Sequence, residues 1–169
     1  MNDTTEYNHP RIVARSLPEA NQDVIELGAG HGVVSIGEPG TDPAYGFEES
    51  NPFHIRLEFH DVVDPQMSQL AGIEVRPPKP EDVEHLVEKA NLLRTAQMVY
   101  CHCNAGVSRS TAAAYILRCK WLGQGSEYEA FTAVLEDRPR AIPNPLMVRY
   151  ADDILDRDGA MIDALEQKQ

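Results

Sequence analysis

Residues 98–122 constrain the fold of this chain more than any other stretch. An apolar run, Met98-Val99-Tyr100-Cys101, leads into His102-Cys103-Asn104-Ala105-Gly106-Val107-Ser108-Arg109-Ser110, and a helix-forming run over 111–122 leads out. Strand, tight loop and helix start are predicted in that order, with the small residues Ala105 and Gly106 at the turn. The helix carries Ala112, Ala113, Ala114, Tyr115, Ile116, Leu117, Trp121 and Leu122, apolar nearly all round. A helix without a polar face belongs in the middle of the core.

The rest of the chain alternates strands with helices. Arg11-Ile12-Val13-Ala14 reads as a strand, and Leu17-Pro18-Glu19-Ala20 opens a helix with Pro in an early position. That helix is expected to reach about Leu27 and to stop in the glycine cluster at 28–32. Val33-Val34-Ser35-Ile36 is a second strand, and residues 53–59 alternate apolar with polar, as a half-covered strand does. Residues 37–52 and 61–80, punctuated by Gly, Pro and Asp, read as loops. Residues 81–95 form an amphipathic helix with Val83, Leu86, Val87, Ala90 and Leu93 on one face. Helices over 127–137 and 146–157 follow, and Gly159 punctuates a last short one. This order predicts an α/β fold with a mainly parallel central sheet flanked by helices. A length of 169 residues without internal repeat or linker predicts a single domain, 1–169, with 1–9 as a flexible N-terminus.

The loop at 102–110 combines residue types that share one chemistry. A strand, tight turn and helix start point several backbone N–H groups into one concavity, with the positive end of the helix behind it. A phosphate dianion fits such a nest. Cys103 sits at its bottom, where the same field favours thiolate; thiols at helix N-termini or beside cations have pKa values of about 3.5 to 7.5. Arg109 enters from the helix side as a planar fork for two phosphate oxygens. Sulfur is placed to attack phosphorus.

His-Cys, five residues, Arg, then Ser or Thr is also the signature of the cysteine-dependent protein tyrosine and dual-specificity phosphatases. Residues 102–110 resemble it, most closely its dual-specificity branch. Arg138-Pro139-Arg140-Ala141-Ile142-Pro143-Asn144 resembles the turn found downstream in that branch. Together with Leu17-Pro18-Glu19-Ala20 and Leu57-Glu58-Phe59-His60-Asp61, the chain is similar to a compact bacterial group of predicted tyrosine phosphatases. The resemblance implies a protein tyrosine phosphatase-like fold of dual-specificity type. It implies hydrolysis of phosphate monoesters, protein phosphotyrosine first, through a phosphocysteine. Cys103 would be the nucleophile. The backbone N–H groups of Asn104, Ala105, Gly106, Val107, Ser108 and Arg109 would hold the phosphate, with the Arg109 side chain on its oxygens.

His102 would orient the cysteine, and Ser110 would donate its hydroxyl to the thiolate. The resemblance places the general acid after the third strand, where Asp61 is the match; Asp64 follows closely and is open to the same role. The spacing from Asp61 to Cys103 is longer than usual in that branch, and residues 67–80 hold the excess, read as a surface insertion beside the substrate entrance. No cofactor and no metal are expected. A catalytically silent form of the same loop, binding phosphate or a phosphoprotein without turnover, is the alternative. The loop interior carries no lysine, whereas relatives that prefer phosphoinositides tend to place bases there.

Charge narrows the partners. A formal net charge of −12 argues against nucleic acid or an anionic membrane as the main partner. A phosphoprotein or small phosphorylated substrate remains, and it requires most carboxylates to lie away from the pocket. No stretch approaches the roughly 20 apolar residues of a membrane span, the N-terminus is polar and acidic, and a catalytic thiolate needs a reducing compartment. A cytoplasmic location is the expectation. Three cysteines do not make a disulfide framework, so Cys101 and Cys119 are expected as packed residues. Cys101-His102-Cys103 is no metal cluster, because alternate strand residues face opposite ways and no second ligand pair follows. Val24-Ile25-Glu26-Leu27-Gly28-Ala29-Gly30-His31-Gly32 locally resembles the first motif of S-adenosylmethionine methyltransferases. A strand-then-turn follows it, where that motif needs a helix.

Overall fold

The computed structural model describes residues 8–24, 30–70 and 74–168. Among them are four strands, β1 (Arg11–Ser16), β2 (Gly32–Gly37), β3 (His54–Glu58) and β4 (Met98–Cys103). Seven helices accompany them: α1 (Leu17–Val24), α2 (Pro65–Leu70), α3 (Pro80–Leu93), α4 (Arg109–Leu122), α5 (Glu127–Asp137), α6 (Pro145–Ile154) and α7 (Ala160–Glu166). The strands form one all-parallel sheet in the order β1-β4-β2-β3. The expected α/β class and parallel sheet are what the chain adopts.

The connections β1→β2 and β3→β4 cross the sheet in opposite directions. Right-handed crossovers therefore place α1 and α3 on opposite faces. The two central strands, β2 and β4, are buried along their length, as covered strands are, whereas edge strand β3 alternates buried with half-buried residues. Helix α4 packs on β1, β2 and β4 and is in turn enclosed by α3, α5 and α6. It is buried on every side, as its composition predicts. Its two polar aromatic tips are satisfied: Tyr115 donates to Met161 O at 3.0 Å and Trp121 Nε1 to Ala90 O at 2.8 Å. All four strands end on one side of the sheet, and open α/β sheets bind ligands in the crevice outside those carboxyl ends. Cys103 is the last residue of β4, between Ser16 at the end of β1 and the end of β2.

Apart from shifts of one or two residues at several strand and helix ends, three differences from expectation have a visible cause. Residues 65–70, read as loop, form α2. Pro65 occupies the first helical position and the Asp64 carboxylate accepts the Gln66 N–H at 2.9 Å, so an Asp-Pro start signal was present in the sequence. Helix α6 ends at Ile154 rather than at 157, because Asp156 and Asp158 both take φ 52°, which breaks the helical path. Helix α4 starts at Arg109, two residues early, so that Arg109 itself stands in its first turn. The expected end of α1 at Leu27 and the glycines up to 29 lie outside the described residues, as does most of the N-terminus expected to be flexible.

Candidate active site

Residues 104–108 close the turn between β4 and α4. Four of their carbonyl oxygens are held from outside the loop, by Leu17, by the 138–144 turn and by the first turn of α4. Asn104 O accepts the Leu17 N–H at 3.1 Å, Gly106 O accepts Arg138 Nε at 3.2 Å, and Val107 O accepts the Ile142 N–H at 2.9 Å. Ser108 O accepts the N–H groups of Ala112 and Asn144 at 3.0 and 3.1 Å. With the carbonyls turned out, the amides turn in. The Gly106 N–H donates to Cys103 Sγ at 3.3 Å, and Ser110 Oγ lies 3.2 Å from the same sulfur. Among the described residues, no protein acceptor takes the N–H of Asn104, Ala105, Val107 or Ser108. Cys103 itself is buried, whereas Asn104 and Ala105 above it are exposed.

Gly106 makes this turn possible. Its φ is +71°, and a Cβ there would come within 2.5 Å of Ser16 N and 2.6 Å of Arg15 C, both backbone atoms. The end of β1 and the loop are in contact, with no room between. Gly106→Ala is therefore expected to destabilise the protein by more than the roughly 1–2 kcal/mol of a left-handed non-glycine residue, and to abolish oxyanion binding. Denaturant titration checks the first and calorimetry with tungstate the second. Arg138 braces the same region by a two-pronged contact with Glu19, at 2.9 and 2.8 Å. That hydrogen bonding holds the Glu19 carboxyl down to about 2.

Arg109 is buried with its fork partly engaged. Nη1 donates to Phe59 O at 2.8 Å and Nη2 to Glu38 Oε1 at 3.1 Å, while Nε, also buried, has no hydrogen-bond partner among the described residues. The other Glu38 oxygen accepts Asn104 Nδ2 at 2.7 Å. Burial alone would raise the Glu38 carboxyl, but Asn104, its own backbone N–H and Arg109 outweigh it and hold the group below its ordinary value. Two carboxylates nonetheless reach the loop: Glu38 touches its buried cation, and Asp61 stands on the rim. Two contacts from one carboxylate pin the start of the loop and its end to the end of β2.

The structure separates the two candidate acids. Asp61 Oδ1 accepts Ser108 Oγ–H at 2.7 Å and Asn144 Nδ2 at 2.8 Å, which leaves Oδ2 without a hydrogen bond among the described residues. Asn144 is held in turn by the N–H groups of Leu146 and Met147, both donating to its Oδ1 at 3.1 Å. Asp64 instead caps α2. Of these two, Asp61 is the one that the fold brings to the loop.

His102 points away from Cys103, to the other face of β4. Its Nε2 is 2.6 Å from Ser35 Oγ, and its Nδ1, beside the Cys103 backbone, makes no full hydrogen bond. Burial lowers the imidazole to about 4 against an upward push from the Cys103 backbone, and the positive Arg56 and Arg109 add to the lowering. An unfolded histidine takes up its proton near 6.5. Between about pH 6.5 and 4 the unfolded chain therefore binds a proton that the folded chain refuses, so stability falls as pH falls, by about 3 kcal/mol at most. His102→Asn is expected to flatten that slope in chemical denaturation across this window. Cys101 and Cys119 are inert packing: both are fully buried, and burial pushes the Cys119 thiol up to about 12 and that of Cys101 higher still.

Of the residues expected from the sequence, Cys103 to Ser110 and Asp61 meet at the loop, whereas the His102 side chain lies on the other face of β4. Glu38, Ser35 and the anchoring role of Asn144 went unread. Ser35 carried a faint signal as the one polar residue in Val33-Val34-Ser35-Ile36. Beside the loop, Ala105, Gly106 and Val107 line a cleft with Arg138, Pro139 and Arg140. No cluster of three or more metal-ligating side chains occurs among the described residues, nor any helix long and apolar enough to cross a membrane.

No protein-family model matches the chain, and no curated protein matches it. Solved structures do. The chain is similar to human DUSP28 at 18% identity, covering 88% of this chain and 90% of that one, with a TM-score of 0.59. It is similar to the PTP-2 phosphatase of Cydia pomonella at 17% identity over 86% of each chain, with a TM-score of 0.56. A third similar structure is PTPMT1, solved in complex with PI(5)P, at 16% identity, covering 94% of this chain and 95% of that one, with a TM-score of 0.55. The fold is that of the dual-specificity and tyrosine phosphatases.

Proposed function

We propose that the chain is a cysteine-dependent phosphatase of the protein tyrosine and dual-specificity family, one catalytic domain hydrolysing phosphate monoesters, protein phosphotyrosine first. The observation that carries this reading is the turned-out loop. Four loop amides and the buried Nε of Arg109 have no acceptor among the described residues, next to a sulfur that already accepts an N–H. A tetrahedral oxyanion supplies the acceptors that those donors lack.

In the first step the Cys103 thiolate attacks phosphorus, the bond from phosphorus to the leaving oxygen breaks, and Asp61 Oδ2 gives that oxygen its proton. Charge spreads over the equatorial oxygens, where the loop amides and Arg109 stabilise it without rearranging. In the second step water attacks the phosphocysteine, the Asp61 carboxylate takes the water proton, and the phosphorus–sulfur bond breaks to release inorganic phosphate and the thiolate. Ser110, 3.2 Å from the sulfur, supports that thiolate as both attacking and leaving group. The protein works in a reducing, cytoplasmic compartment on this reading.

Phosphotyrosine is favoured over phosphoinositides because Asn104, Ala105, Val107 and Ser108 supply no base for further phosphates. One observation favours the second reading, a silent phosphoprotein-binding relative: Arg109 is already shared between Glu38 and Phe59 O. Hydrolysis of p-nitrophenyl phosphate in the presence of a chelator, with vanadate as inhibitor, separates the two. Vanadate-sensitive turnover supports the phosphatase; tight tungstate binding without turnover supports the binder.

A further inference from the structure

We propose that Ser35 and Arg56 are positioning residues for the nucleophile, holding His102 in one tautomer and tying the back of the catalytic loop to the 38–41 turn that grips its front. The inference rests on the phosphatase reading only for its kinetic consequence; the tautomer itself stands on the hydrogen bonds.

Arg56 Nη1 donates to Ser35 Oγ at 2.9 Å, and an arginine can only donate. One lone pair of Ser35 is thereby used. Ser35 is fully buried, and among the described residues its oxygen has only Arg56 and His102 Nε2 as neighbours in hydrogen-bond range. The Ser35 proton therefore goes to Nε2, at 2.6 Å. His102 must keep its own proton on Nδ1, the nitrogen beside the Cys103 backbone. The imidazole then presents a fixed N–H dipole to the residue that carries the sulfur.

The same arginine reaches the front of the site. Arg56 Nη2 donates to Thr41 O at 2.7 Å and lies 3.1 Å from Thr41 Oγ1, and Thr41 closes back on Glu38 O through its N–H and its hydroxyl. Glu38 is the carboxylate shared by Asn104 and Arg109. One turn thus holds the loop by Glu38 in front and by Arg56, Ser35 and His102 behind. Its packing leaves no slack at Gly37, where a Cβ would meet Thr41 Oγ1 at 2.6 Å and Arg56 Nη2 at 2.8 Å. The charged groups around His102 come from every side: Arg56 from β3, Arg109 from α4, and Arg15, its register neighbour on β1, which is turned to Asp23 and Asp137. Arg56 is itself paired with Glu58.

The test uses the full chain with nitrogen-15-labelled histidine, read by NMR, together with iodoacetate alkylation of Cys103. The wild type is expected to show His102 as the Nδ1–H form, and Ser35→Thr to retain it. Ser35→Ala should release the Nε2–H form and slow alkylation severalfold near neutral pH. The two alkylation rates should converge once the thiol is ionised at high pH, which a merely structural defect would not produce. Should Ser35→Ala not fold, Arg56→Ala, at a half-buried site, is expected to give a mixture of tautomers. An Nε2–H form in the wild type overturns the proposal, as do an unchanged tautomer and alkylation profile in both variants. Vanadate-sensitive turnover of the wild type, measured alongside, reports separately on the phosphatase reading.

Discussion

Cys103→Ser is expected to lower hydrolysis of p-nitrophenyl phosphate by roughly five orders of magnitude, to the level that binding alone supports, while tungstate still binds. Serine keeps the shape of the side chain, but its hydroxyl is not ionised near neutral pH and has no general base beside it. His102, the base next to it on that strand, points to the opposite face and engages Ser35. The oxyanion site is a separate structure: its amides are positioned by Leu17, Arg138, Ile142 and Asn144, none of which touches the sulfur. Turnover and calorimetric binding should therefore part company in this variant. Retained turnover would remove Cys103 as the nucleophile. Loss of both would mean that the Gly106 contact to sulfur holds the loop in shape.

Asp61→Asn is the second large effect, a loss of about 100- to 10,000-fold on phosphotyrosine, the range of a general acid. The loss should shrink sharply on an aryl ester whose leaving group is already acidic, because that oxygen departs without a proton. The limb of the pH profile that requires a protonated acid should flatten in the variant. Asparagine keeps an Oδ1 to accept from Ser108 and Asn144, so the rim geometry survives and the chemistry alone is tested. Asp64→Asn is the control. Its carboxylate caps α2, and no dependence on the leaving group is expected from it.

The parts of the site that were legible in the sequence are those whose chemistry is written in consecutive residues. Cys103 through Ser110 is a strand end, a turn and a helix start, so the sequence order is the spatial order. Helix α4 was legible for a similar reason, since a helix apolar on all sides has one place to go. Asp61 was half legible: order along the chain narrowed the acid to two residues, but choosing between them required Asn144, which sits far downstream. Ser35 lies on β2, Glu38 directly follows that strand, and Arg56 is in the middle of β3. They meet the loop only because the crossovers bring β2 beside β4 and β3 beside β2, a pairing that no local pattern encodes. Net charge did not indicate which carboxylate would stand next to Arg109; it is Glu38. A cation that must be buried without its substrate needs a partner, and Glu38 supplies one.

That arrangement bears on how an anion enters an acidic protein. Glu38 accepts only one arm of Arg109, and the unpartnered Nε together with the loop amides remains for the oxyanion. Attraction is then local and short-ranged, made of donors that a phosphate reaches only once it is inside the turn.

A covalent phosphoenzyme is the most direct test. Ser110→Ala should slow departure of the sulfur in the second step more than attack in the first, so the intermediate should accumulate with p-nitrophenyl phosphate, whose leaving group needs little help. Rapid quenching and peptide mass spectrometry are expected to find one phosphoryl group on the Cys103 peptide, with a matching burst of nitrophenol. Steady turnover with no phosphorylated peptide, or a phosphoryl group on any other residue, would contradict the account.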